Sequence, residues 1–527
     1  VSTQWQRLDR RLLVPSLAGL LLPVLGFLVA FAIAGWDFTT GAAIVGVIMA
    51  SSFAMFLIVL LAHSIRYGTT RFAVTDERVE LRSGLVSRNH RSIPRDRVRS
   101  VDLTAGPLHR LLGLSVVKVG TGRQIKDADK DELELNALSE TQALALRREL
   151  LHRDSTDSRV EVLATLDRGW LRYAPLTLST VAVVYAVVGG ITERVVEAAP
   201  SLPWLFIQEV GRVLSVPVVL AAVIVLAGAF LVGLVVSAVQ YVEGWWGFRL
   251  EREQSKTLLV TRGLITTRSV TLEERRIRGV EIAEPLLVRW ARGARLRVVA
   301  TGVKSTKETP NQDALLPPAT VTAAHRVAAV VLREPGDPTR TPLTSHPRVA
   351  LRRRLVRAGA GWIAAVAISF LLPMILHALP TWLPWFVGIV GIPVAVLFGL
   401  DAYRNLGHGL SGDYLVTRAG TAVRRTVALR RSGVIGWRVR RSPFQRNAGL
   451  CTLVATTAAG RGSYRVRDVR VSDGLAFAEE AVPGILTDFL VRTTNVNKTQ
   501  LVPPHGAEGP QARSRQPTDT PKLPQLP

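Results

Sequence analysis

The nine histidines, His63, His90, His109, His152, His325, His346, His377, His408 and His505, are the first candidates for chemistry. No two stand three or four residues apart and no H-E-x-x-H occurs, so the spacing that sets two imidazoles on one helix face for a metal is missing. His63 and His377, near the ends of apolar runs, read as interfacial polar groups rather than proton relays. The lone Cys451 excludes a disulfide scaffold and a multi-cysteine cluster, and its expected strand makes it a buried small hydrophobe rather than a nucleophile. There is no P-loop, no Rossmann fingerprint after a strand and no G-x-S-x-G. Asp76-Glu77, the run 127–134 and Glu273-Glu274 read as solvated turns, because Asp127, Asp129 and Asp131 lack the glycine and distal glutamate of an EF-hand. The expectation is a non-enzyme with no catalytic residue, no cofactor and no metal.

Positive charge is what the chain has in excess. Sixty-six Lys and Arg against 41 Asp and Glu give a net charge of +25. Only eight of the cations are Lys, which codon bias in a GC-rich genome explains in part. Arg88, Arg91, Arg95, Arg97 and Arg99 form one run, and Arg424, Arg425, Arg430, Arg431, Arg438, Arg440 and Arg441 crowd another. Phosphate is the natural partner of such clusters. Nucleic acid is disfavoured because only Trp437 and Phe444 offer aromatic interleaving. An anionic lipid surface fits better, at about 1 kcal/mol per basic residue held near it. The candidate lipid contacts are Arg7, Arg10 and Arg11 before the first apolar block and Arg352, Arg353, Arg354 and Arg357 before the fifth. Ordinary positive-inside charge competes with specific lipid binding as an explanation.

These arginines must be positioned by membrane helices. Mean hydropathy is +0.24, and six stretches approach the roughly 20 apolar residues that cross a bilayer. They are Leu12–Gly35, Gly41–Ala62, Tyr173–Ile191, Val213–Val242, Ala358–Leu379 and Trp382–Leu400, and none contains Asp, Glu, Lys or Arg. The first is too long for a signal-peptide core and reads as a retained span. They pair into hairpins at 12–62, 173–242 and 358–400. The hairpin connections hold only Arg194 and Arg212, so the other basic residues, both termini and the three long segments are expected in the cytoplasm of a multi-pass protein of the cell membrane.

The segments after the hairpins, 66–152, 246–333 and 409–492, repeat one another. Arg71–Thr75, Arg78–Arg82, Val98–Leu103 and Ser115–Val119 alternate like strands, and Ser139 with Gln142 forms a capping box that opens a helix. Thr261–Ile265 answers Arg82–Val86, and Arg276–Val280 answers Arg97–Val101. Pro443-Phe-Gln-Arg446 followed by Gly449-Leu450 answers Pro107-Leu-His-Arg110 followed by Gly113-Leu114. The second copy keeps Pro285-Leu286 but is expected to stretch its spacing to Gly293, and so to diverge. The shared Pro, apolar residue, Arg and Gly are expected to shape the start of a strand, with Phe444 as a buried anchor. The third closing helix is expected over Asp473–Val491 with an interruption at Pro483-Gly484, and 493–527 as a disordered Pro-rich tail.

The run Val434–Leu450, then Ala455–Gly460, Tyr464 and Asp468, resembles the bacterial pleckstrin-homology-like domain (bPH2) of membrane proteins of the YdbT type. The resemblance covers about residues 10–492. It implies an α+β membrane protein with six transmembrane helices in three hairpins, each followed by a cytoplasmic PH-like β-barrel of about seven strands with a C-terminal helix. It also implies a partner, a shorter membrane protein with one hairpin and one such domain, and a link to envelope stress or defence. No catalytic residue carries over. The expected function is membrane-associated binding or assembly. The alternative, a six-helix transporter or channel component, lacks the ionisable residues within spans that coupling needs.

Overall fold

A computed structural model describes residues 5–7, 58, 61, 64, 68–84, 89–98, 100–120, 132–150, 160–176, 201–253, 257–303, 311–334, 336–375, 382–487, 491–495 and 498–502. The first expected span, nearly all of the second, most of the third, Arg10 and Arg11 lie outside these residues.

The three repeats appear as one ordered set of strands and helices. The first contains β1 (Gln6–Arg7), β2 (Arg71–Val74), β3 (Arg78–Ser83), β4 (Asn89–Pro94), β5 (Ser100–Ala105), α1 (Pro107–Leu111), β6 (Leu114–Gly120), β7 (Glu132–Ser139) and α2 (Glu140–Leu150). The second has β8 (Val160–Thr165), α3 (Leu202–Val213), α4 (Val218–Trp245), β9 (Arg249–Glu253), β10 (Thr257–Arg262), β11 (Thr267–Glu273), β12 (Ile277–Pro285), α5 (Leu286–Trp290), β13 (Gly293–Ala300), β14 (Ala319–Thr320) and α6 (Val321–Leu332). The third has α7 (Arg348–Ile375), α8 (Leu383–Arg404), β15 (Gly407–Ser411), β16 (Tyr414–Ala419), β17 (Val423–Arg430), β18 (Gly436–Arg440), α9 (Pro443–Asn447), β19 (Leu450–Thr456), β20 (Ser463–Arg470) and α10 (Val471–Ala481). Of the expected tail, only β21 (Val491–Asn495) and β22 (Lys498–Val502) are described, and they pair as a hairpin.

The repeats share sheets, a feature that separate barrels would not have. Each repeat divides into a first three-strand half and a second one. The second half of repeat one joins the first half of repeat two in the order β7-β6-β5-β11-β10-β9-β8. The second half of repeat two joins the first half of repeat three in the order β14-β13-β12-β17-β16-β15. The outer halves remain as β1-β2-β3-β4 and β18-β19-β20. The cores merge accordingly. Tyr414, Val416 and Ala428 of repeat three pack in the core of repeat two, and Val299 of repeat two packs in that of repeat three.

Each repeat closes on a helix, and in the first two a side chain caps it. The Ser139 hydroxyl accepts from Gln142 N, and Ser139 N donates to Gln142 Oε1, the expected capping box. Thr320 caps α6 in the same sense, accepting from Ala323 N. Helix α10 ends at Ala481, at the expected interruption, because Pro483 two residues on cannot continue it.

The expected stretch in the spacing of repeat two is corrected. Helices α1, α5 and α9 open at Pro107, Leu286 and Pro443, offsets of 179 and 157 residues. At those offsets Arg292, not Gly293, answers Gly113 and Gly449. All three are left-handed, with φ of 58°, 67° and 62°. The spacing is constant, and an arginine takes the conformation that glycine adopts without strain.

Three described helices are long and apolar enough to cross a membrane: Val223–Trp245, Arg348–Leu371 and Pro384–Arg404. Their limits correct the apolar blocks. Tyr173 and Ala174 are buried in the domain core with Trp170. The fourth block is broken at Leu214–Pro217, where Ser215 is left-handed and Pro217 opens α4. Helix α7 begins ten residues before Ala358, so Arg352–Arg357 lie within it rather than ahead of it. Hydropathy marks the apolar stretch, whereas arginine is a good helix former and extends the helix past it. Helices α7 and α8 pack closely. A Cβ on Gly391 would lie 1.4 Å from the Trp362 ring, and one on Gly399 would lie 2.8 Å from Leu355.

Candidate functional site

Helix α7 places Arg353, Arg354 and Arg357 on one face, since residues three and four apart are neighbours. Strand β20 places Arg465 and Arg467 on one face at period two. The end of β18 adds Arg440 and the segment after it Arg441. Together with Ser442, Gln445, Thr452 and Asp468 these seven arginines line a cavity of about 700 Å³. It lies at the polar end of α7, where the apolar part of the candidate span begins.

One carboxylate faces the seven guanidiniums. Asp468 is 1% exposed and left-handed, with φ of 58°. Both Arg353 and Arg354 donate to it. Gln445 Nε2 donates to Asp468 Oδ1 at 2.8 Å and to Thr452 Oγ1 at 2.8 Å. Gln445 is itself set by a capping box with Ser442, whose N–H donates to Gln445 Oε1 at 3.0 Å. The Nε atoms of Arg353 and Arg354 are buried with no hydrogen-bond partner among the described residues. Burial, then the Arg354 and Arg465 guanidiniums, press Arg467 below its ordinary value. One acid cannot neutralise seven cations, and such an excess of guanidinium donors can hold an oxyanion with several acceptor oxygens.

A second cavity of about 360 Å³ adjoins the first through Arg465 and Arg467 and adds Arg425 and Arg461. Glu281 of repeat two pairs with Arg461 and lies 3.5 Å from Arg425.

Of the sequence-derived lipid contacts, Arg353, Arg354 and Arg357 meet here. Arg352 is exposed and does not line the cavity. Arg7 is in β1, opposite Arg71 in the first repeat's sheet, and is not part of this site. Asp468, Arg465 and Arg467 are not among the sequence-derived site residues. The alternation Arg465-x-Arg467 is the signal that points to them. Other arginines of the basic runs are structural: Arg95 donates to Glu149 O at 2.7 Å, and Arg431, its equivalent, to Ala481 O at 2.6 Å, closing the ends of their repeats' helices.

Phe444 is 78% exposed, so the expected buried anchor is corrected: α9 is a single turn whose buried side chain is Gln445. Cys451 is fully buried, and burial raises its thiol to about 11, which keeps it protonated and inert. His346 and His408, 62 residues apart, meet with Nδ1 of His408 3.1 Å from Nε2 of His346. Burial, and then His346, push His408 down to about 4. Spacing rules do not find such a pair. No group of three or more His, Cys, Asp or Glu side chains able to hold a metal occurs among the described residues.

The bacterial PH domain family model matches residues 13–154, 197–334 and 356–481, once in each repeat. The chain belongs to this family. It is similar to the UPF0699 transmembrane protein YdbT of Bacillus subtilis (strain 168), at 22% identity over 444 residues, 80% of this chain and 86% of that protein. A shorter likeness, 31% over 78 residues, links it to one component of an ion-translocating oxidoreductase complex of Halorhodospira halophila, covering 15% of this chain and 21% of that one. No solved structure matches. This is therefore a membrane protein with repeated bacterial PH domains.

Proposed function

We propose that the protein is a non-enzymatic, membrane-anchored binding protein whose third PH-like domain holds the phosphate of an anionic lipid headgroup. The observation that carries this reading is the cavity of seven arginines and one aspartate at the polar end of α7. A phosphodiester placed there meets several guanidiniums at headgroup level without leaving the bilayer. The test is a calorimetric titration of the full chain, in a neutral detergent, with short-chain phosphatidylglycerol and with short-chain phosphatidylcholine. The anionic lipid should bind at least tenfold more tightly, and raised salt should weaken it. Equal binding of both lipids, or of neither, contradicts the reading.

The same reading places six spans in three hairpins in the cell membrane, with both termini and all three domains on the cytoplasmic side. The charged residues of α7 and α8 support it, for Arg352–Arg357, Asp401 and Arg404 all lie at the domain end. In a Cys451→Ser background, single cysteines at Thr39 or Thr381 should react with impermeant thiol reagents on intact cells, and those at Thr267 or Thr421 should not. Labelling of the second pair reverses the orientation. The partner in this reading is another membrane protein of similar build, through which the chain would act in envelope stress or defence.

A further inference from the structure

Each repeat passes its successor two contacts: a sheet edge and an arginine. Between the first two repeats, β5 pairs with β11, with Leu103 opposite Ser269. Between the second and third, β12 pairs with β17. Moving Leu103 and Ser269 by the repeat offsets gives Ile282 and Thr426, which are indeed opposite one another. The two joints therefore have the same register. An arginine also crosses each joint, though to a different point. Arg110 of α1 donates to Leu264 O in the turn between β10 and β11. Arg289, its equivalent on α5, donates to both carboxylate oxygens of Asp401 on α8 at 2.9 Å.

The third repeat presents both elements. Strand β18 pairs with β19 alone among the described residues. Val439 is 37% exposed where its equivalent Ile282 is 0%. Ile435 is 65% exposed. Arg446, the equivalent of Arg110 and Arg289, is exposed. An unpaired edge of this kind templates a further strand.

The charge of the open joint says which strand. In the closed joint β12 supplies acid, Glu281 and Glu284, and the facing segment supplies Arg425 and Arg424. In β18 and the residue after it, Arg438 and Arg441 replace Glu281 and Glu284, and Arg440 replaces Ala283. The polarity is reversed. A second copy of this chain would offer its own open edge, β4, and the shared register would set Arg438 opposite Arg91. Like charges directly opposite are unfavourable, so the chain is built against pairing with itself.

We infer that the outer edge of β18, with Arg446 beside it, is a docking joint for the acidic edge strand of a further hairpin-and-domain unit on another polypeptide. This rests on the reading of the chain as a membrane-anchored binding protein and names the face, the register and the charge of its partner.

The probe is a peptide with the β17 sequence carrying Arg424→Glu, Arg425→Glu and Val427→Glu, compared with the unaltered β17 peptide. The protein is the full chain in neutral detergent with Cys451→Ser and Val439→Cys. With diamide added as the two-electron oxidant, a peptide cysteine at the Thr426 position should form a disulfide with Val439→Cys at least tenfold faster than one at the Ala428 position. The acidic peptide should react at least tenfold faster than the basic one, and adding Arg438→Glu should reverse that preference. Arg438 does not line the arginine cavity, so Arg438→Glu should leave phosphatidylglycerol binding unchanged. Failure of this joint and failure of the lipid site are thereby separated. Coupling indifferent to register or to peptide charge overturns the inference. So does loss of peptide coupling only in an Arg465→Gln/Arg467→Gln protein, which would put the peptide in the cavity, since both arginines lie on β20 and outside the joint. Concentration-dependent self-association that Arg438→Glu strengthens, by removing the clash with Arg91, would make the occupant a second copy and overturn it as well.

Discussion

The joint between the second and third repeats and the open end of the third are built from equivalent residues with opposite surroundings. Ile282 is 0% exposed and Val439 is 37%. Glu281 is buried against arginines, whereas Arg438 is exposed. Arg289 is tied to Asp401, whereas Arg446 faces outward. The strand–turn–helix between them has one length and one left-handed residue in both places. Local sequence thus sets the shape, and the neighbour sets the role. Where a neighbour is present the residues form core; where none is described, the same positions become surface that is rich in arginine.

The largest effect should come from Asp468, the one acid at the open end. Asp468→Asn keeps the size and removes the charge that holds Arg353 and Arg354, which are 17% and 10% exposed. Breaking such a buried pair costs roughly 3–5 kcal/mol, because the guanidiniums are left uncompensated. Thermal unfolding of the full chain in detergent should show a marked drop. An unchanged melting temperature would mean that Asp468 is not holding the α7 arginines.

A smaller effect, and a sharper comparison, comes from two equivalent glycines. A Cβ on Gly279 would lie 2.1 Å from Ala428 O across the closed joint, while one on Gly436 would meet nothing within 4 Å. Gly279→Ala should therefore cost roughly 1–3 kcal/mol through overpacking. Gly436→Ala should fall within about 0.5 kcal/mol of the parent, as substitutions away from packed features do. Equal melting temperatures for the two variants would erase the distinction between a closed and an open joint.

Much of this architecture is legible in the chain. The Pro-x-x-Arg and Gly-Leu spacing of repeats one and three, the capping box at Ser139 and the threefold repeat of the PH-like domain follow from local pattern. Sheet sharing is not legible, because alternation marks a strand without naming its neighbour. Arg292 conceals the constant spacing of repeat two, since a left-handed arginine has no compositional signal. The site is half visible. Arg353, Arg354 and Arg357 sit together in sequence, and Arg440 and Arg441 stand out as a cluster. Arg465, Arg467 and Asp468 reach them only through the fold, as His346 reaches His408. Arg352 looks equivalent to its neighbours, but a helix turns successive residues by about 100° and it falls on the exposed face.

The lipid titration, repeated on two variants, tests the central claim most directly. Arg441→Gln with Arg467→Gln removes two cavity arginines that have no ion pair among the described residues, and Arg352→Gln removes a neighbouring arginine outside the cavity. The double variant should lose at least tenfold in phosphatidylglycerol affinity, and Arg352→Gln should bind like the parent. Equal affinities in all three proteins, or equal losses in both variants, would show that the bilayer senses only diffuse positive charge and that the cavity is not the headgroup site.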